Sequence, residues 1–169
     1  MSFIPRLFIA YAREDAPLLD KLRLHLNILE RNCHCHIFYD GEIIPGERWD
    51  ERLKHELHSA HIFVLLVSAD FLDSDYVNEV ELPKVLEKEK NGSAAVVPVI
   101  LRDCLWETTV LSNFQVVLKD GTSIAASDAF AFAAREIFRV IERRNGSLEP
   151  AIKPQPERFG NVEYQKSRR

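Results

Sequence analysis

The stretch "SDYVNEVELPK", Ser74 to Lys84, sets two glutamates, Glu79 and Glu81, two positions apart and just ahead of Pro83. It follows "HIFVLLVS", an apolar run that reads as a buried strand. A carboxylate beside the end of a core strand can move a proton or stabilise a developing positive charge. On a helix two residues separate by about 200°, so only one of the pair can face a given site. Other polar and aromatic side chains gather where apolar runs end. Tyr11 and Arg13 follow the first run, Asp40 the second, Ser68, Ser74 and Tyr76 the third, and Trp106 the fourth. The "CHCH" of Cys33–His36 invites a zinc reading. Alternation along a strand sends the cysteines to one face and the histidines to the other, and no second ligand pair is visible, so no metal site is expected. There is no GxxxxGK[ST], no GxGxxG after the first strand and no legible Ser/His/Asp arrangement. A phospho-acceptor switch of this architecture would want aspartate where Ser68 stands.

Positioning those residues falls to alternating elements. Strands are expected at Arg6–Tyr11, Cys35–Asp40, His61–Ser68, Ala94–Leu101 and Phe114–Leu118. Between them lie helical patterns: Leu18, Leu19, Leu22, Leu26 and Leu29 on one face, then Trp49, Leu53, Leu57 and Ala60, then a helix over Asp75–Lys90. The spacing of Trp49 with Leu53 puts that tryptophan in the core. A last helix turns Phe130, Ala134, Ile137 and Ile141 inward. Such alternation means an α/β fold with a parallel sheet covered on both faces, and five strands favour the flavodoxin-like order 2-1-3-4-5. Ligands of such sheets bind beyond the carboxyl ends of strands 1 and 3. Pro98 inside the fourth strand predicts a bulge. Pro83 should split or restart its helix, leaving Glu81 near a positive N-terminal end that keeps it ionised.

Composition narrows the classes. The chain has 169 residues, the size of one domain, with 46% hydrophobic and 28% charged residues. A net charge of −4 does not suggest nucleic-acid binding. No apolar run reaches the roughly 18 residues of a membrane span. The N-terminus lacks the pattern of a signal peptide, and three cysteines in a leaderless chain fit a reducing cytoplasm. From Asn145 onward the texture is Pro-rich, which divides the chain into a domain at 1–145 and a tail or linker at 146–169.

Four segments in order, "LFIAYAREDAPLLDKL", "IFYDGEIIPGERWDERL", "ADFLDSDYVNEVEL" and "VPVILRDCLWE", resemble the successive boxes of a Toll/interleukin-1 receptor (TIR) domain of bacterial type. The resemblance runs from about Arg6 to Arg144. It implies the flavodoxin-like fold. Many prokaryotic members cleave NAD+, releasing nicotinamide and leaving ADP-ribose or a cyclic variant; others only assemble signalling complexes. In the family register Ser74, Asp75 and Tyr76 lead to Glu81-Leu82, with Val77 in place of a cysteine, so the resemblance makes Glu81 catalytic and leaves Glu79 as a surface carboxylate. It assigns Tyr11, Arg13, Asp40, Ser68, Ser74, Tyr76 and Trp106 to NAD+ binding, with no resident cofactor. The segment Asp40–Arg48, with Ile43, Ile44, Pro45 and Gly46, and Trp49 beyond it, resembles the loop through which relatives stack head to tail. The implied function is an NAD+ glycohydrolase or cyclase, switched on by self-association as an immune or antiphage defence effector under a regulatory domain or partner. The alternative is a non-catalytic adaptor acting by TIR–TIR contact. A nucleoside deoxyribosyltransferase would use a glutamate on the same type of bond, but the order of the boxes argues against it.

Overall fold

Apolar runs covered on both faces become the central strands. The computed structural model describes residues 3–42 and 48–146. Its strands are β1 (Arg6–Ala10), β2 (His36–Phe38), β3 (Ile62–Val67) and β4 (Ala95–Ile100), all parallel, in the order β2-β1-β3-β4. The helices are α1 (Ala16–Arg31), α2 (Trp49–Ser59), α3 (Ala69–Asp73), α4 (Leu82–Lys90) and α5 (Phe130–Gly146). Alternate residues of each strand serve opposite layers. Leu7, Ile9, Val64 and Leu66 pack with Leu22 and Leu26 of α1 and Ile137 and Ile141 of α5. Phe8, Phe63, Leu65 and Val67 pack with Leu53 and Leu57 of α2, Phe71 of α3 and Val85 of α4. Each such side chain contributes roughly 1.5–3 kcal/mol when buried. A one-residue slip would send each set to the wrong layer, so the register is firmly set.

Two expectations about the sheet fail for one reason. Pro98 makes no bulge; it pairs in unbroken register with Leu65. Its backbone faces away from β3, where its carbonyl accepts from the Val117 N–H at 2.8 Å. No β3–β4 bond is lost, because that partner never needed the missing donor. The cost falls on the other side. Phe114–Leu118 does not form a fifth strand: Val117 makes a single parallel bridge to Val99. The next bridge down would need an N–H from Pro98. The sheet therefore has four strands.

The expected break at Pro83 is also absent. Val77–Glu81 form a π-helical turn that leads straight into α4. The Leu82 N–H reaches back five residues to the Val77 carbonyl, and both Glu81 and Leu82 keep right-handed helical backbone angles. The widened turn absorbs the proline without ending the helix. At the far end of α2, the Lys88 ammonium donates to the carbonyls of Leu57 at 3.2 Å and of His58 and Ala60 at 2.6 Å each. That lysine, only 8% exposed, satisfies the orphan acceptors of the helix end and ties α4 to α2.

Candidate active-site cleft

The ends of β1, β3 and β4 are held by one polar network. Asp15, wholly buried after β1, accepts from the Ser68 hydroxyl and from Arg102 Nε at 2.7 Å. Ser68 follows β3, and its Oγ accepts from the Phe71 N–H at 3.1 Å, capping α3. Arg102 follows β4 and donates with its other arm to Asp70. The loops after β1, β3 and β4 are thus fixed to one another beneath the cleft.

The cleft opens above them, beyond the carboxyl ends of β1 and β3, with a volume of about 450 Å³. Glu81 lies along it at 6% exposure, and its Oε2 has no hydrogen-bond partner among the described residues. Burial, reinforced by the nearby charge of Asp40, pushes its carboxyl up to about 8. That overturns the expectation of a carboxylate kept ionised by a helix N-terminus: the helix does not start there, and desolvation dominates. Glu79 is exposed and off the cleft.

Tyr11 and Asp40 meet on one wall. Burial first, then a hydrogen bond with Asp40, raises the Tyr11 phenol. Gly41 lets that wall close up, since a Cβ there would stand 2.8 Å from the Tyr39 ring. Tyr76 forms the opposite wall. Its hydroxyl is buried without a partner among the described residues, and burial followed by the charge of Glu81 raises its proton affinity. Trp49 leans on Tyr76 with ring centroids 5.3 Å apart. It is 40% exposed, not a core residue: as the first residue of α2 it projects past the packed face. Arg13 and Ser74 also line the cleft, with Arg13 exposed at its rim.

Two of the residues expected to bind substrate are elsewhere. Ser68 has no exposed surface and spends its hydroxyl on Asp15 and the α3 cap. Trp106 begins a short 3₁₀ turn, packs against the core layer beneath α2 and does not line the cleft. Ile43, Ile44, Pro45 and Gly46 and the tail lie outside the described residues. Cys33 is exposed and Cys35 buried, and no group of three or more metal-binding side chains occurs among the described residues. Reading the chain missed Asp15, Asp70 and Arg102. Their trace is an acid or base immediately after a strand, which becomes meaningful only when three strand ends are brought together. Among the described residues no helix is long and apolar enough to cross a membrane.

A family model described as TIR domain matches residues 7–133. The uncharacterised protein y4lF of Sinorhizobium fredii is 31% identical over 154 residues, covering 88% of this chain and 48% of the relative. The chain thus spans about half the length of that curated relative. The crystal structure of the TIR domain of the Toll-related receptor TRR-2 from Hydra magnipapillata superposes with a TM-score of 0.55. That likeness covers 80% of this chain and 97% of that one at 19% identity, and it speaks for the fold. With the family model spanning both walls of the cleft and Glu81 between them, the chain belongs to the TIR domain family.

Proposed function

We propose that this TIR domain cleaves the nicotinamide–ribose bond of NAD+, as a glycohydrolase or a cyclase. One observation carries the reading. A glutamate with a free oxygen is buried along a strand-end cleft of nucleoside size, where a structural carboxylate would have found a partner. In the reaction the C1′–N bond breaks and its electron pair leaves on neutral nicotinamide. Positive charge builds on the ribose, as in glycoside hydrolysis. The Glu81 carboxylate stabilises that charge. Water then adds at C1′ and releases a proton, giving ADP-ribose; an adenine nitrogen adding instead gives the cyclic product. Burial leaves Glu81 holding its proton at neutral pH before substrate binds. A bound pyridinium cation favours the ionised form, so binding substrate helps to charge the catalyst. The Trp49–Tyr76 pair offers aromatic faces to the same cation.

The proposed setting is the cytoplasm, as a defence effector activated when copies stack through the segment around Ile43 and Ile44. The adaptor reading draws on apolar side chains displayed on α1, Leu24 at 76% and Ile28 at 59% exposure. It leaves the buried glutamate without a role. Purified protein incubated with NAD+, with and without a crowding agent, and its products separated by chromatography, distinguishes hydrolase, cyclase and inert adaptor. Glu81→Gln is expected to lose activity by on the order of 10²–10³, while Glu79→Gln keeps most of it. Equal loss from both variants, or an active Glu81→Gln, would sink the assignment.

A further inference from the structure

Hydrolysis at this site calls for a second group besides Glu81. Water adding at C1′ must lose a proton, and the base that takes it must meet the solvent that supplies the water. Glu81, 6% exposed with an unpartnered Oε2, suits the ribose side and is too enclosed for that task. Among the described residues four other acids line the cleft: Glu14, Asp40, Asp70 and Asp73. Asp70 is engaged by Arg102, and Glu14 and Asp73 are exposed at the rim. Asp40 is half-buried, and its charge bears on Tyr11, on Tyr76 across the cleft and on Glu81.

Asp40 also has a built setting. Burial, followed by the hydrogen bond with Asp40, keeps the Tyr11 phenol protonated, so the hydroxyl donates and the carboxylate accepts. A carboxylate offers about four lone-pair sites, which leaves room for a water beside that bond. The wall behind the pair is braced. A Cβ at Gly41 would stand 2.8 Å from the Tyr39 ring and 3.7 Å from the Tyr11 hydroxyl oxygen, and the Arg23 guanidinium of α1 lies over the Tyr39 ring at 4.1 Å from its centroid. One enclosed carboxyl and one polar, partly solvated carboxyl in a single cleft is the arrangement that divides catalytic work between two acids.

We propose that Asp40 is the general base of the hydrolytic step, oriented by Tyr11, while Glu81 stabilises the ribosyl cation. The inference rests on the NAD+-cleaving reading of the same site and adds the residue that handles water. Nicotinamide has already left with the electron pair of the C1′–N bond. As the water oxygen bonds to C1′, one of its O–H bonds breaks and the proton passes to an Asp40 oxygen, then to solvent. A nucleophile with no proton to lose has no need of Asp40.

Pyridine is such a nucleophile, and its nitrogen adding at C1′ gives an adduct in which it replaces nicotinamide. The experiment incubates the full chain with NAD+ and pyridine and measures the ratio of adduct to ADP-ribose, with melting curves to confirm folding. Asp40→Asn is expected to raise that ratio by on the order of 10². Tyr11→Phe keeps the carboxylate and removes its orienting donor, so it should raise the ratio by a smaller factor; it decides the matter should Asp40→Asn not fold. A ratio unchanged in either folded variant, both products lost in step, or no adduct from any of the proteins would overturn this inference alone, leaving the NAD+-cleaving reading intact. So would a parent that forms only cyclic product, since water then has no part. A parent that leaves NAD+ intact would overturn the underlying reading as well.

Discussion

Glu81 is costly to the fold and, in the proposed reaction, useful to the chemistry, and both effects can be measured. Its carboxyl titrates near 8 when folded, against 4.5 for the free group. Between those values the folded chain holds a proton that the unfolded chain has released. Stability from this residue therefore falls as pH rises through that window. Glu81→Gln removes the effect, so its melting temperature should exceed that of the parent at pH 8 by a few degrees, about 2–4 °C per kcal/mol for a domain of this size. The advantage should vanish at pH 4.5. A difference that ignores pH would show that the carboxyl is not desolvated as the structure has it. The rate answers to the same proton. If the carboxylate is the reacting form, kcat/KM for NAD+ should climb with pH, reach half its maximum near 8 and level off above it. Decline over that range would assign the activity to the protonated acid instead.

At the scale of elements, the short α3 turn and the network under it are where a small change should spread. Ser68→Ala deletes an α3 cap, worth about 0.5–2 kcal/mol, and strips one donor from the buried Asp15, worth about 1–3 kcal/mol more. A fall in melting temperature of roughly 3–20 °C is expected, with activity lost only in proportion to unfolding below it. An unchanged melting curve would mean that the strand ends are held by something else. This network also marks the limit of what the chain discloses. Strands β1, β3 and β4 are legible because they are continuous apolar runs, and α1 because its leucines keep helical spacing. The register of Glu81 against Tyr76 is legible because it is local. Asp15 and Arg102 stand 87 positions apart, and nothing near either announces the other. The five residues of α3 are too few to show a period. "FQVVL" has every local mark of a strand, and its failure was decided by Pro98, a residue on the neighbouring element. Trp49 kept the helical spacing of a core residue, but spacing says nothing of where a helix begins relative to the layer it packs on.

For the whole molecule, the open cleft bears on assembly. In the proposed reaction its rim would admit water and leave a bound nucleotide loosely held, which raises the barrier to reaction. Stacking of a second copy over the rim would correct both faults, and a head-to-tail contact need not close on itself. Specific activity is therefore expected to rise with protein concentration, and Ile44→Asp to flatten that rise while leaving the monomer's melting curve unchanged. Flat activity over a wide concentration range, with a fully active Ile44→Asp, would mean that each chain carries a complete site. Such crowding ordinarily carries a hazard for a sheet with two edge strands. Here β2 is three residues long and its Ile37 N–H is already taken by Glu30 Oε1 at 3.0 Å. At the opposite side Pro98 has no N–H to give. An incoming strand finds no continuous row of donors and acceptors along either margin. With both margins blunted in this way, the assemblies proposed above would form through helices and loops, so they should dissolve on dilution rather than ripen into cross-β fibrils.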